Sequence, residues 1–217
     1  MIMSIESACE VQPARCGWAR GLLLACVLAC LTGYPLQAKA AGHIYLLRGF
    51  AGIFSTGLDS LAEQLNRRGY HATVHSYTEE LALASEAARE QKSGKGPIII
   101  IGHSFGAEAA ATMAQDMKAQ GASVALIVSY GPTVSMTIPS NVRQVINYYQ
   151  GDVPFKKGPG FTGRMTNINL DKSEGINHFN VEKVERLQKQ VIVHVQAIAS
   201  PSKRARTHTA SPGSLTQ

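Results

Sequence analysis

Residues 98–111 read Ile98-Ile99-Ile100-Ile101-Gly102-His103-Ser104-Phe105-Gly106-Ala107-Glu108-Ala109-Ala110-Ala111. Four consecutive isoleucines leave no polar face, which is the pattern of a strand buried on both sides, as in parallel sheets. The stretch 107–120 is rich in Ala, Met and Gln, strong helix formers, and ends at Gly121. Between strand and helix lies a Gly-x-Ser-x-Gly turn. Such a turn is strained and lifts the serine oxygen above the sheet, and its glycines let neighbouring backbone approach where a Cβ would clash. The five residues alone are a weak signal; the strand before them and the helix after them make it specific. Without that context the segment would be an ordinary βα turn containing a serine.

Working outward, short apolar runs alternate with helix-like stretches from His43 onward, the βαβα pattern of a mainly parallel sheet covered on both faces. Six strands are expected, at 43–48, 72–77, 97–101, 124–129, 142–149 and 164–170. Leu58, Leu61, Ala62 and Leu65 recur at helical spacing before Gly69, and 79–90 reads as a second helix. A last helix carries Val181, Val184, Leu187, Val191, Val195 and Ile198 on one stripe, expected to close one face of the sheet.

A serine hydroxyl becomes a useful nucleophile only when a base takes its proton. In strand-turn-helix serine sites the partners follow in the order Ser, Asp or Glu, His. His178, His194 and His208 lie late enough; His194 falls inside the last helix and His208 in the tail. His178 sits in the loop Gly175-Ile176-Asn177-His178-Phe179, from which a side chain can reach the C-terminal edge of the sheet, and is the expected base. Of the intervening acids, Asp152 comes directly after a strand, in Gly151-Asp152-Val153-Pro154, where strand ends deliver side chains to a crevice. It is the expected orienting acid, with Asp171 in reserve; a bare turn-initiating Asp is the alternative. The developing oxyanion needs N–H donors from the residue after the nucleophile and from the loop after the first strand, here Phe105 and Phe50. The glycines of Arg48-Gly49-Phe50-Ala51-Gly52 allow that loop to turn toward the serine.

The first forty residues follow a different logic. Arg15 and Arg20 precede an apolar run at 21–31, then Ala38-Lys39-Ala40 offers a small-x-small cleavage pattern. This is the layout of a secretory signal peptide, expected at 1–40, and its run of about 11 residues is short of the ~20 that cross a bilayer as a helix. Export to the periplasm or outside is expected. A lipid anchor on Cys30 is the lesser alternative, since Val27-Leu28-Ala29-Cys30 only loosely resembles an attachment box. All four cysteines, Cys9, Cys16, Cys26 and Cys30, fall in this leader, so the domain expected at 41–200 relies on its apolar core without disulfides. Residues 201–217, polar and without apolar periodicity, read as a disordered tail. Of the net charge of +6, the leader contributes +1 and the tail +3, which leaves the middle of the chain near +2. No basic face interleaved with aromatics is present, and nucleic acid binding finds no support.

These residues resemble the α/β-hydrolase superfamily, and in particular the minimal lid-less secreted bacterial lipases and esterases. The resemblance spans 43–199 and rests on Arg48-Gly49-Phe50-Ala51-Gly52, Gly102-His103-Ser104-Phe105-Gly106, Tyr149-Gln150-Gly151-Asp152 and Asn177-His178. It implies a three-layer α/β-hydrolase fold with a mainly parallel sheet of about six strands. It also implies no metal, no cofactor, and hydrolysis of small acyl esters or thioesters through an acyl-enzyme. Arg48 stands where the family usually has histidine, and Gly-His-Ser-Phe-Gly is also similar to the elbow of thioesterases. An acyltransferase using the same triad and a hydrolase-like fold that binds without turnover are the competing readings. A monomer is expected.

Overall fold

The computed structural model describes residues 42–50 and 55–199. The expected leader with its cysteines, residues 51–54 and the expected tail lie outside the described residues. The elements are β1 (His43–Arg48), α1 (Thr56–Asn66), β2 (His71–Ser76), α2 (Glu80–Lys92), β3 (Ile99–His103), α3 (Phe105–Ala119) and β4 (Leu126–Tyr130). They continue with β5 (Thr137–Ile138), β6 (Gln144–Tyr149), β7 (Lys156–Lys157), β8 (Arg164–Asn169) and α4 (Glu185–Ala199). Single 3₁₀ turns, Tyr77–Glu79 and Val181–Lys183, precede α2 and α4.

Six strands form one parallel sheet in the order β2-β1-β3-β4-β6-β8. The isoleucine run explains its own burial. Ile98 and Ile100 pack with Tyr45, Leu47 and Ile127 against α2 and α3. Ile99 and Ile101 face the other way, with Ile44, Leu46 and Val128, against α1 and α4. A strand side chain changes face at every residue, so a strand covered on both sides must be apolar throughout. This is the three-layer α/β-hydrolase fold the sequence leads one to expect.

The boundaries differ in one respect that matters. The third strand runs to His103 rather than stopping at Ile101, so it delivers Ser104 directly at its C-terminal end. Chain order also places the site: β2 lies on one side of β1 and β3 on the other. The connections after β1 and β3 therefore diverge, and a crevice opens between them at the C-terminal edge. Among the described residues no helix is long and apolar enough to cross a membrane.

Candidate active site

Ser104 is the only non-glycine among the described residues with positive φ, at φ 57° and ψ −128°. Holding a serine there costs on the order of 1–3 kcal/mol and requires the surroundings to enforce it. They do so through three glycines. A Cβ on Gly102 would lie 2.0 Å from the Gly106 carbonyl oxygen, one on Gly106 2.0 Å from that of Leu47, and one on Gly49 2.8 Å from Cβ of Ser104. The Ser104 N–H donates to the Tyr130 carbonyl at 3.0 Å, fastening the turn to the end of β4.

His178 Nε2 lies 3.0 Å from Ser104 Oγ. Burial lowers the imidazole below its ordinary value, with the charge of Glu108 acting in the opposite sense. Burial thus favours the neutral ring, and a neutral ring protonated on Nδ1 can accept the Ser104 proton on Nε2. Nδ1 faces Gly131, a φ 54° residue just past β4, where a Cβ would come within 3.2 Å of it. Phe105 opens α3, so its N–H stands outside the intrahelical ladder at the positive end of the helix dipole.

The acids are arranged differently. Asp152 follows β6 and is exposed, and among the described residues no hydrogen bond joins it to His178. The turn that carries it is braced from two sides: Gln150 Nε2 donates to the Ile176 carbonyl in the loop carrying His178 at 3.1 Å, and Asp171 Oδ1 accepts the Gly151 N–H at 2.8 Å. Asp171 also accepts from Asn169 Nδ2, and the Gly151 and Asn169 hydrogen bonds hold its carboxyl below the ordinary range. Asp171 is therefore engaged in holding a turn. Arg48, in place of the usual histidine, is paired with Asp59 in the first turn of α1, which anchors the start of the loop bearing Phe50.

Several residues complete the site without a sequence signal for the role they take. Ser55, His103 and Glu182 are buried behind the elbow, and Gln188 joins the Gly57 and Glu182 carbonyls at 2.9 and 2.7 Å. Glu108, one turn into α3, accepts the Thr133 N–H at 2.8 Å and so fixes the loop after β4 beside the serine. In front of Ser104 is a cavity of about 280 Å³ whose wall includes Phe50, Phe105, Thr133 and Phe179. Phe50 is 67% exposed and meets Phe105 edge to face at 6.4 Å between ring centres. At the opposite edge of the sheet, His43, Glu86 and Glu90 bring potential metal-ligand atoms within 4.8 Å of one another. Both ring nitrogens of His43 are already hydrogen-bonded there, to Glu90 and Thr73.

A hydrolase family model described as serine aminopeptidase, S33 matches residues 56–154, under half of the chain. The matched stretch runs from α1 into the turn after β6, and includes Ser104 and Asp152 but not His178. The match supports a hydrolase of the α/β-hydrolase superfamily. No curated protein matches the chain.

Proposed function

We propose that the chain is an exported serine hydrolase that cleaves carboxylic ester or thioester bonds through an acyl-serine intermediate. Ser104 is the nucleophile, His178 the general base and then general acid, and Asp152 the acid that orients the imidazole. The observation that carries the reading is the 3.0 Å contact between Ser104 Oγ and His178 Nε2 at a positive-φ elbow. As His178 takes the proton, the serine oxygen attacks the acyl carbonyl, and the negative charge develops against the Phe105 and Phe50 N–H groups. The imidazolium then protonates the leaving group, and water, activated by the same ring, releases the acid.

Asp152 is supported by its place in a turn tied to the base loop through Gln150. Export is supported by the leader layout alone. The phenylalanine-rich wall and a volume of about 280 Å³ suit a short or medium apolar acyl group, in keeping with the resemblance to small secreted lipases and esterases. The description of the matched family favours a second reading, release of an N-terminal amino acid. Against it, none of the described residues lining the cavity is an Asp or Glu that could hold an ammonium group.

A fluorophosphonate probe is expected to label Ser104, and Ser104→Ala to lose on the order of 10³-fold or more in turnover of p-nitrophenyl butyrate. Aminoacyl p-nitroanilides assayed beside the esters decide between the two readings. Folded protein that ignored the probe and cleaved neither substrate would end both.

A further inference from the structure

Behind the elbow runs a buried chain of hydrogen bonds whose direction is fixed by its two ends. The Gly49 N–H can only donate, and it lies 3.1 Å from Ser55 Oγ. The His178 carbonyl can only accept, and it lies 2.7 Å from His103 Nε2. Between them Ser55 Oγ and His103 Nδ1 are 2.9 Å apart. The His103 proton must then sit on Nε2, leaving Nδ1 to accept from the Ser55 hydroxyl, which in turn accepts from Gly49. Ser55 and His103 are each 1% exposed. Burial brings the His103 imidazole down to about 4, so the ring is neutral wherever His178 could work as a base.

Ser55 is placed for a different task and does not perform it. It occupies the N-cap of α1, where a serine hydroxyl ordinarily accepts from the first turn, but makes no side-chain cap hydrogen bond. Its hydroxyl is committed to His103 and Gly49 instead. The chain thus joins three separately encoded segments: the loop carrying Phe50, the strand end carrying Ser104, and the loop carrying His178.

We propose that His103 and Ser55 are positioning residues, a buried clamp that sets the base loop and the oxyanion loop against the nucleophile. The proposal rests on the hydrolase reading above and adds to it how the base is held: through its backbone carbonyl, from behind. A misplacement of about 1 Å in such a site costs on the order of 10²-fold in rate, so the clamp should be felt in kcat before KM.

The test compares the full chain with Ser55→Ala, Ser55→Thr and His103→Gln, using kcat and KM on p-nitrophenyl butyrate and ¹⁵N NMR of the histidine rings. Ser55→Ala is expected to lower kcat about 10- to 100-fold with KM changed less than about threefold. Ser55→Thr, which keeps the hydroxyl, should recover most of the loss. His103→Gln, which keeps an N–H donor for the His178 carbonyl, should fall between. Wild-type His103 should show a neutral ring protonated on Nε2 from pH 6 to 8, and its Nδ1 signal should move in Ser55→Ala.

The proposal is overturned if Ser55→Ala keeps kcat within about twofold of wild type, or if kcat and thermal stability fall together and Ser55→Thr restores neither. A wild-type protein without esterase activity would sink the hydrolase reading while leaving the clamp to the NMR. There a charged His103, or one protonated on Nδ1 at neutral pH, overturns the clamp independently.

Discussion

At the N-terminal end of β1, His43 gives one ring nitrogen to Glu90 and the other to Thr73, both at 2.8 Å, and Tyr45 donates to the same Glu90 at 3.0 Å. At the C-terminal edge of the sheet, His103 is also bonded through both nitrogens, but its neighbours are not. Glu182 is fully buried with neither carboxylate oxygen making a hydrogen bond of good geometry; one lies 3.7 Å from His103 Nε2 and the other 3.8 Å from Lys183 Nζ. The Tyr130 hydroxyl, Ser129 Oγ and Arg48 Nε at the same edge are buried without partners as well. The first cluster ties both nitrogens of its buried histidine to neighbours within the protein. The second stores unmet polar groups and a strained serine beside an open cavity, which is where proteins depart from their own folding rules for the sake of function.

The contrast can be broken most severely at the elbow. Gly106→Ala puts a methyl group 2.0 Å from the Leu47 carbonyl oxygen, a backbone atom that cannot step aside. A loss of roughly 3 kcal/mol or more is expected in urea unfolding, with probe labelling of Ser104 abolished. At the first cluster, His43→Ala leaves Glu90 and Thr73 short of a partner and should cost about 2 kcal/mol. The ester kcat/KM at 25 °C should stay within about twofold of wild type. If His43→Ala impaired turnover of the folded protein as strongly as a change at the elbow, the division between the two ends would be wrong.

Glu182 is buried against its own charge, so its contribution to stability falls as pH rises. Burial raises its carboxyl above the ordinary 4.5, opposed by the nearby backbone N–H groups of Glu182 and Gly57 and by the charge of Lys183. Below 4.5 the acid is neutral whether folded or unfolded, so its contribution to stability is at its most favourable. As pH rises toward the folded value, the unfolded chain releases the proton and the folded one resists, so stability declines across that interval. Glu182→Gln keeps the shape and removes the titration. It should stabilise the protein by roughly 1 kcal/mol at pH 8 and change little at pH 4, read from thermal melts at both. An equal effect at both pH values would mean that ionisation of Glu182 is not opposed by the fold.

Much of the fold is legible in one dimension because its cause is local. Ile98 to Ile101 must be a doubly covered strand, and the alanine-rich stretch after Ser104 must be a helix packed close to it. The two-residue strands β5 and β7 are too short to leave a periodic trace and exist only because they pair with each other. That Ser104 and His178 would meet, at 3.0 Å, can be anticipated because the proposed nucleophile and base follow positional rules relative to strands and loops. The contacts of Ser55 and His103 cannot, since they span 48 and 75 residues and a serine before a helix reads as a cap. Glu182 is hidden for another reason: between Val181 and Val184 it looks like the polar side of an amphipathic helix, while Val181–Lys183 is a 3₁₀ turn that points it inward.

The finest discrimination concerns what faces the far nitrogen of the base. In the proposed mechanism His178 must be neutral to act, so kcat/KM is expected to be retained above its ionisation and lost as pH falls through it. With burial as the leading influence, the midpoint of that acid limb should fall below 6.5. Glu108→Gln, which keeps an oxygen for the Thr133 N–H but removes the charge that favours the imidazolium, should move the limb lower still. Asp152→Asn then asks a question the static geometry frames. A carboxylate that reaches Nδ1 in the working enzyme stabilises the imidazolium, and its loss should shift the limb downward and lower kcat. If the limb and kcat in Asp152→Asn match wild type while Ser104→Ala is dead, the site runs as a Ser104–His178 pair held from behind, and Asp152 has no part in orienting the ring.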